Sequence, residues 1–359
     1  MIEASGCGRA PSPFSREILP LSSNVNGGTV MTLTNTKTLV TGAGGFIGSH
    51  LCEALVRNGA NVRALVRYNS AESHGLLELL PSEVYDQIEV VCGDIRDTKS
   101  TSHAVAGCDI VFHLAALIGI PYSYYAPFSY VDTNVKGTVN VLQASLEHRV
   151  DRVIHTSTSE VYGTAQYCPI NEDHPLQGQS PYSASKISAD KMAESYHLAF
   201  DLPVVTIRPF NTFGPRQSAR AFIPAMICQI LEQPAVKCGA LHPFRDYTFV
   251  EDTVAAFISA ATAPGIEGMT INVGSGKKIS MGALLNRILS RMKVQKDLVM
   301  ERERVRPDKS EVMELICDNR KAKSLLGWSP RYSLDDGLDI VIDYVKNNVQ
   351  RYKPHRYGV

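Results

Sequence analysis

Tyr182 and Lys186 stand four residues apart in the run Pro181-Tyr182-Ser183-Ala184-Ser185-Lys186. On a helix that spacing puts both side chains on one face, about one turn apart. An ammonium so close favours the phenolate and lowers the phenol pKa, as a proton acceptor working near neutral pH requires. Upstream lie Thr158, Ser159 and Glu160. On a strand, Thr158 and Glu160 would point to the same side. Together these residues supply a base for a hydroxyl proton, a donor for that oxygen, and a second base for a carbon acid. A Tyr-x-x-x-Lys pair by itself occurs in many ordinary helices, so its weight depends on what precedes it.

What precedes it is Lys37-Thr38-Leu39-Val40-Thr41-Gly42-Ala43-Gly44-Gly45-Phe46-Ile47-Gly48. A short apolar strand runs into glycines at 42, 45 and 48, and then into Leu51, Ala54 and Leu55 at helical spacing. Such glycines allow a tight turn, close approach of backbone to a pyrophosphate, and close helix–strand packing, with a helix N-terminus facing the phosphates. The spacing is GxxGxxG rather than the commoner GxGxxG. An ordinary strand–turn–helix joint would read the same locally; the Tyr–Lys pair downstream favours a dinucleotide site.

Many further runs, in order, carry a resemblance. They include TGAGGFIG (41–48), GDIRD (93–97), HLAA (113–116), DTNVKGT (132–138), STSEVYG (157–163), PYSASK (181–186), RPFNTFGPRQ (208–217), RDYTFVEDT (245–253) and NVGSG (272–276). The chain resembles the extended short-chain dehydrogenase/reductases of the NAD-dependent epimerase/dehydratase family, which act on nucleotide-diphosphate sugars. The resemblance covers roughly residues 35 to 350. It is closest, through TSTSEVYGTAQYCPINEDHPLQGQSPYSASK, to nucleotide-sugar 4,6-dehydratases of the legionaminic acid pathway type.

The resemblance implies roles. Tyr182 takes the proton of the sugar's 4-hydroxyl, Lys186 holds the cofactor ribose and tunes Tyr182, and Thr158 hydrogen-bonds the same oxygen. Glu160 abstracts the carbon-5 proton. Dehydratases usually carry Thr-Asp-Glu, whereas here Ser159 stands where the acid is expected, and a serine hydroxyl is a poor general acid unless relayed. Thr-Ser-Glu also resembles UDP-glucuronate decarboxylases. Arg245-Asp246-Tyr247 resembles a dehydratase element, and Glu160 is unlike the small or hydroxyl residue of similar 4-epimerases. The expected activity is therefore an NDP-sugar 4,6-dehydratase (a hydro-lyase) converting an NDP-N-acetylglucosamine to its 4-keto-6-deoxy form. UDP-glucuronate decarboxylase and NDP-sugar 4-epimerase stay open as alternatives. A non-catalytic nucleotide-binding scaffold is disfavoured, because such relatives typically break the Tyr–Lys pair.

The same resemblance assigns a bound, recycled NAD(P)+ to Gly42, Gly45, Phe46, Ile47, Gly48, Asp94, Ile95, the backbone of Leu114, Ala115 and Ala116, and Tyr182 and Lys186. After the second strand, where NAD-preferring relatives carry a carboxylate for the ribose 2′-hydroxyl, this chain has Val66, Arg67, Tyr68, Asn69 and Ser70. Arg67 could hold a 2′-phosphate, which leaves NAD and NADP undecided with a slight lean to NADP. Asn211, Arg216, Arg245 and Arg306 are the candidate substrate-binding residues, since guanidinium forks match diphosphate oxygens. Asp246, Asp252 and Asn272 read as structural. His113 reads as packing beside the cofactor, and no metal site is expected.

Positioning these residues calls for a doubly wound α/β fold. Candidate strands at 37–41, 61–67, 88–92, 109–114 and 151–157 alternate with helices near 46–58, 98–106, 132–149 and 181–200, the pattern of a mostly parallel Rossmann-type sheet. Residues 1–34 read as a disordered N-terminal extension, with Met31 fitting as a start. A NAD(P)-binding domain follows at 35–208, with later returning segments at about 245–275. A smaller α/β nucleotide-sugar-binding domain takes 209–244 and 276–350. With 359 residues and 44% apolar content the chain can bury a large core. Net charge is zero, so no basic field recruits nucleic acid or an anionic membrane. Eight scattered cysteines without CxxC pairs fit a reducing cytoplasm. No apolar run is long enough to span a bilayer. Apolar residues in the helices at 132–149 and 181–200, among them Val135, Val139, Leu142, Met192 and Leu198, exceed one core face and suggest a homodimer.

Overall fold

A computed structural model describes residues 32–301 and 311–352. The strands are β1 Lys37–Thr41, β2 Asn61–Arg67, β3 Glu89–Gly93, β4 Ile110–His113, β5 Arg152–Thr156, β6 Val204–Pro209 and β7 Asn211–Phe213. They continue with β8 Ala235–Cys238, β9 Phe244–Phe249, β10 Thr270–Val273, β11 Lys278–Ser280, β12 Asp297–Met300 and β13 Glu314–Leu315. A seven-stranded sheet has the order β10-β6-β5-β4-β1-β2-β3, and its pairings are all parallel. From β1 the chain winds outward through β2 and β3, then returns to β4 and winds the other way. The order reverses between β1 and β4, where crevices open in such sheets.

Parallel strands covered on both faces read as nearly continuous apolar runs, and β1, β2, β4, β5 and β6 are buried in this way, whereas the edge strand β3 is only partly buried. Val40, Val62, Phe112, Ile154 and Ile207 face a cluster with Leu51 and Leu55 of the Phe46–Arg57 helix. Leu39, Leu65, Val111 and Val153 face the opposite cluster, with Val141 and Ala193 of the Gly137–Glu147 and Pro181–Phe200 helices. Each fully buried aliphatic side chain there contributes about 1.5–3 kcal/mol.

The helix expected at 132–149 differs locally: a π-helical turn, Val131–Lys136, precedes the α-helix Gly137–Glu147. The domain expectation also shifts. β10 lies in the large sheet, but β9, placed with the first domain by sequence, is the centre of a separate four-stranded sheet. It sits there because it pairs with β7, β11 and β13. Of the expected N-terminal extension, residues 1–31 lie outside the described residues, while Leu33 is buried in the core. Leu142, expected at a subunit interface, is fully buried within this subunit because it faces the second core cluster. Val135, Val139 and Met192 are half-buried, and Leu198 is 75% exposed.

Candidate active site

The carboxyl ends of β1, β2, β4, β5 and β6 open into one cavity of about 890 Å³. At its floor the turn after β1 carries Gly42 with φ +71°, and a Cβ there would lie 2.8 Å from the Ala115 amide nitrogen. A Cβ on Gly48 would sit 2.3 Å from the Gly42 carbonyl oxygen. Glycine is therefore required at both positions. Gly45 caps the Phe46–Arg57 helix without a side-chain hydrogen bond, so the first N–H groups of that helix remain for an anion. Thr41, which sequence reasoning passed over, braces the other wall: its Oγ1 accepts from the amides of Leu114 and Ala115, each at 3.1 Å. His113 is buried between the hydroxyls of Thr41 (2.9 Å) and Thr138 (3.0 Å), in keeping with a packing role.

The catalytic candidates enter from β5 and the long helix. Ser180 and Ser183 form a capping box and Pro181 occupies the first turn, which fixes the start of the Pro181–Phe200 helix. Tyr182 and Lys186 are both buried and both line the cavity. Thr158, Ser159 and Glu160 line it too, but not from a strand. β5 ends at Thr156, and Thr158 caps a 3₁₀ turn, Ser159–Tyr162, by accepting from the Glu160 amide at 3.2 Å. Thr158 also hydrogen-bonds the Tyr182 phenol, and the Glu160 carboxylate is close enough to act on it electrostatically.

In the cofactor-free chain the electrostatics at Tyr182 run opposite to the expected lowering. Burial pushes the Tyr182 phenol pKa up, opposed by the Thr158 hydrogen bond, and Glu160 pushes it further up. Lys186 does not pull it down. Its Nζ donates to the Thr156 carbonyl at 2.6 Å, and burial lowers its own pKa to about 8, with Asp190 opposing. Desolvation outweighs the helical proximity of ammonium and phenol.

Asp190 lies one turn beyond Lys186. It is buried, accepts from Ser157 Oγ (2.7 Å) and from Arg208 Nε and Nη2 (3.1 and 3.0 Å), and contacts His155 Nε2 at 3.0 Å. Burial pushes its pKa up, but the hydrogen bond to His155 and the charge of Arg208 prevail and hold it at about 2. Asn134, in the π turn, ties this helix to the chain after β4: it bonds the Leu117 amide and carbonyl and donates to Ser185 Oγ. Neither residue was singled out by sequence. Their only signals were a helical i+4 offset and a place in the 132–138 run.

The remaining candidates divide. Gly42, Gly45, Phe46, Ile47, Gly48, Arg67, Leu114, Ala115, Ala116 and Asn211 line the cavity. Asp94 and Ile95 do not: Asp94 pairs with Arg96, and Ile95 packs against Gly137. Arg216 does not either. Its backbone has φ +66°, and its guanidinium turns to His50 and Glu53 behind the cavity. Arg245 is held by Glu311 and the Phe244 carbonyl. Arg306 lies outside the described residues. Asp246 accepts from Ser275, Gly276 and Cys317, Asp252 from the amides of Arg331 and Tyr332, and Asn272 from the Tyr162 hydroxyl. Among the described residues there is no cluster that could hold a metal, and no helix is long and apolar enough to cross a membrane.

A nicotinamide dinucleotide fits this cavity. The glycine turn leaves no room for side chains where a pyrophosphate would approach. Thr156 Oγ1, Asn211 Oδ1 and Gln217 Oε1, on residues of the cavity wall, are buried polar atoms without a protein partner.

Comparisons with known proteins agree. A family model described as GDP-mannose 4,6 dehydratase matches residues 39–341. A UDP-glucose 4-epimerase of Mycolicibacterium smegmatis is 33% identical over 320 residues, 88% of this chain and 100% of the relative. A dTDP-glucose 4,6-dehydratase of Streptomyces antibioticus is 32% identical over 321 residues, 88% of this chain and 94% of that one. Among solved structures, DesIV, a dTDP-glucose 4,6-dehydratase from Streptomyces venezuelae with NAD and TYD bound, superposes with a TM-score of 0.81 at 27% identity, covering 89% of this chain and 100% of that one. With a dehydratase model and an epimerase both matched over most of its length, the chain belongs to the NAD-dependent epimerase/dehydratase family of extended short-chain dehydrogenase/reductases.

Proposed function

We propose that this protein is a nucleotide-diphosphate-sugar 4,6-dehydratase that converts an NDP-N-acetylglucosamine to its 4-keto-6-deoxy form with a nicotinamide dinucleotide as recycled cofactor. The observation that carries this reading is the carboxylate of Glu160 in the cavity wall beside Thr158 and Tyr182. A 4-epimerase deprotonates no carbon and has no use for such a base; elimination across carbons 5 and 6 requires one.

The glycine turn, the Phe46–Arg57 helix N-terminus and Lys186 would hold the cofactor, and Arg67 faces its adenosine end. When bound, the nicotinamide supplies the acceptor for a hydride from carbon 4 and its return to carbon 6. Tyr182, its phenolate favoured by the positive charge that a bound oxidised nicotinamide would bring and that the cofactor-free chain lacks, takes the 4-hydroxyl proton while Thr158 donates to that oxygen. Glu160 takes the carbon-5 proton, which the 4-keto group acidifies. Ser159 is buried beside them and orients a water or a neighbouring hydroxyl that protonates the departing 6-hydroxyl, which leaves as water. Glu160 then returns a proton to carbon 5 as the hydride comes back to carbon 6. Asn211 and Gln217 offer unpartnered amide oxygens to the sugar.

The cavity's charges argue against a carboxylate at carbon 6. Among its described lining residues, Lys186 is the one lysine or arginine on the β5–β6 side. Arg67 follows β2, across β4 and β1 from β5, while Ile118 and Ile120 complete the wall. A neutral sugar suits this better than a glucuronate.

The 4-epimerase is the second reading, favoured by Ser159 where dehydratases carry an acid and by the epimerase relative described above. Mass spectrometry after incubation with UDP- and GDP-N-acetylglucosamine separates them. Loss of one water supports dehydration, and an unchanged mass with inversion at carbon 4 supports epimerisation. Release of carbon dioxide from UDP-glucuronate would overturn both. We further propose a homodimer, supported by the exposed Tyr125, Phe128 and Leu198 on and beside the expected interface helices.

A further inference from the structure

Behind the catalytic cavity lies a second one of about 710 Å³, walled by the Glu78–Tyr85 stretch, Pro215, Arg216 and the C-terminal residues Tyr344, Asn348 and Arg351. Its depth holds Arg216. That side chain is only 5% exposed, and its Nη1 is buried without a hydrogen-bond partner. The backbone adopts φ +66°, a left-handed conformation that side chains other than glycine rarely take and that tends to mark functional sites. Nη2 donates to Glu53 at 2.8 Å, so one charge is compensated there, though Arg57 shares the same carboxylate. Glu78, the other acid of the wall, accepts from the His74 amide at 2.6 Å. Arg351 is exposed at the rim and has no ion pair among the described residues. Arg216, Arg351 and Tyr344 all line the cavity, so two cations and a hydroxyl share it. Leu79, Leu80, Pro81 and Tyr85 supply an apolar and aromatic wall.

We propose that this second cavity is a binding site for a phosphorylated nucleoside, with its phosphate between Arg216 and Arg351 and its rings against the apolar wall. Guanidinium forks suit phosphate oxygens, aromatic walls suit a planar base, and the volume lies within the range of small-molecule sites. The two cavities share walls. Tyr85 OH lies 2.5 Å from His74 Nδ1, and His74 lines the catalytic cavity. Pro215 and Arg216 directly precede Gln217, which lines it too.

Equilibrium dialysis with labelled UDP tests this on the whole chain loaded with NAD+. At UDP concentrations near the rear site's dissociation constant, the unmodified protein should bind more UDP per chain than Arg351→Glu, whose reversed charge weakens that site by at least about tenfold. Tyr344→Phe, which keeps the ring and removes the hydroxyl, should give an intermediate loss. Arg351 is exposed on a short terminal turn, so its replacement leaves the fold intact. Identical isotherms for all three proteins would overturn the proposal. The difference between variants is read even if UDP does not enter the catalytic cavity, so failure of the dehydratase reading leaves the test decisive.

Discussion

Lys186 Nζ donates to the Thr156 carbonyl at 2.6 Å, which ties the Pro181–Phe200 helix to the end of β5 and holds the ammonium at the edge of the cavity rather than in water. Burial there lowers its pKa from 10.5 to about 8. Between those values the unfolded chain binds more protons than the folded one. This group's contribution to stability is therefore least favourable below pH 8 and improves as pH rises towards 10.5. In cofactor-free protein, Lys186→Met should be the more stable form at pH 7 by at most about 3 kcal/mol, with the difference closing towards pH 10. Urea unfolding of both proteins across that range measures it. A pH-independent difference would show that the ammonium is not buried as described.

Tyr182→Phe keeps the ring packed against Tyr130, edge-on at 6.3 Å between centroids, and loses the hydroxyl. We expect turnover to fall about 10²–10⁴-fold, with a melting temperature close to that of the unmodified protein. A large drop in melting temperature would assign the hydroxyl a structural role instead.

Glu160→Gln separates elimination from epimerisation. If Glu160 is the carbon-5 base, the variant should release water and incorporate deuterium at carbon 5 in D₂O about 10²–10⁴-fold more slowly. A variant that loses water as fast as the unmodified enzyme would remove Glu160 from the mechanism.

Asp190→Asn leaves Arg208 buried without its counter-charge. Breaking a buried pair in this way typically costs about 3–5 kcal/mol. Chemical denaturation should show that loss, and Asp190→Glu should recover part of it. Since the carboxyl pKa is held at about 2, below the usual value, its stabilising contribution is present at neutral pH and lost as pH falls through that value.

Light scattering at micromolar concentration should give a dimer mass. Phe128→Glu, at a side chain 83% exposed, should shift the equilibrium towards monomer without altering the far-ultraviolet spectrum. A monomeric mass for the unmodified chain would discard the interface.

Five of the seven strands of the main sheet, β1 to β5, were readable because buried parallel strands leave apolar runs, and β1 and β2 have the expected bounds; β6 and β10, which enter the sheet from later in the chain, were not singled out. The glycine turn and the Tyr–Lys helix were readable because backbone geometry at 42–48 and an i+4 offset are local properties. What escaped depends on distant partners. Arg245 points to Glu311, 66 residues further on, and Arg216 turns away from the catalytic cavity because of its own left-handed backbone and the Glu53 carboxylate. Side-chain direction of this kind leaves no mark in residue spacing. The burial that raises the Tyr182 pKa in the cofactor-free chain was illegible for a related reason: helical proximity is visible in spacing, whereas depth of burial is not.

The reversal of strand order between β1 and β4 has an evolutionary corollary. The glycine cradle hangs from one side of that divide and the 158–160 turn from the other, joined by the packed strands rather than by shared loops. A lineage can therefore edit the three residues after β5 while the dinucleotide half stays untouched. That separation is compatible with relatives described as an epimerase and as a dehydratase lying at nearly equal identity to this chain, 33% and 32%.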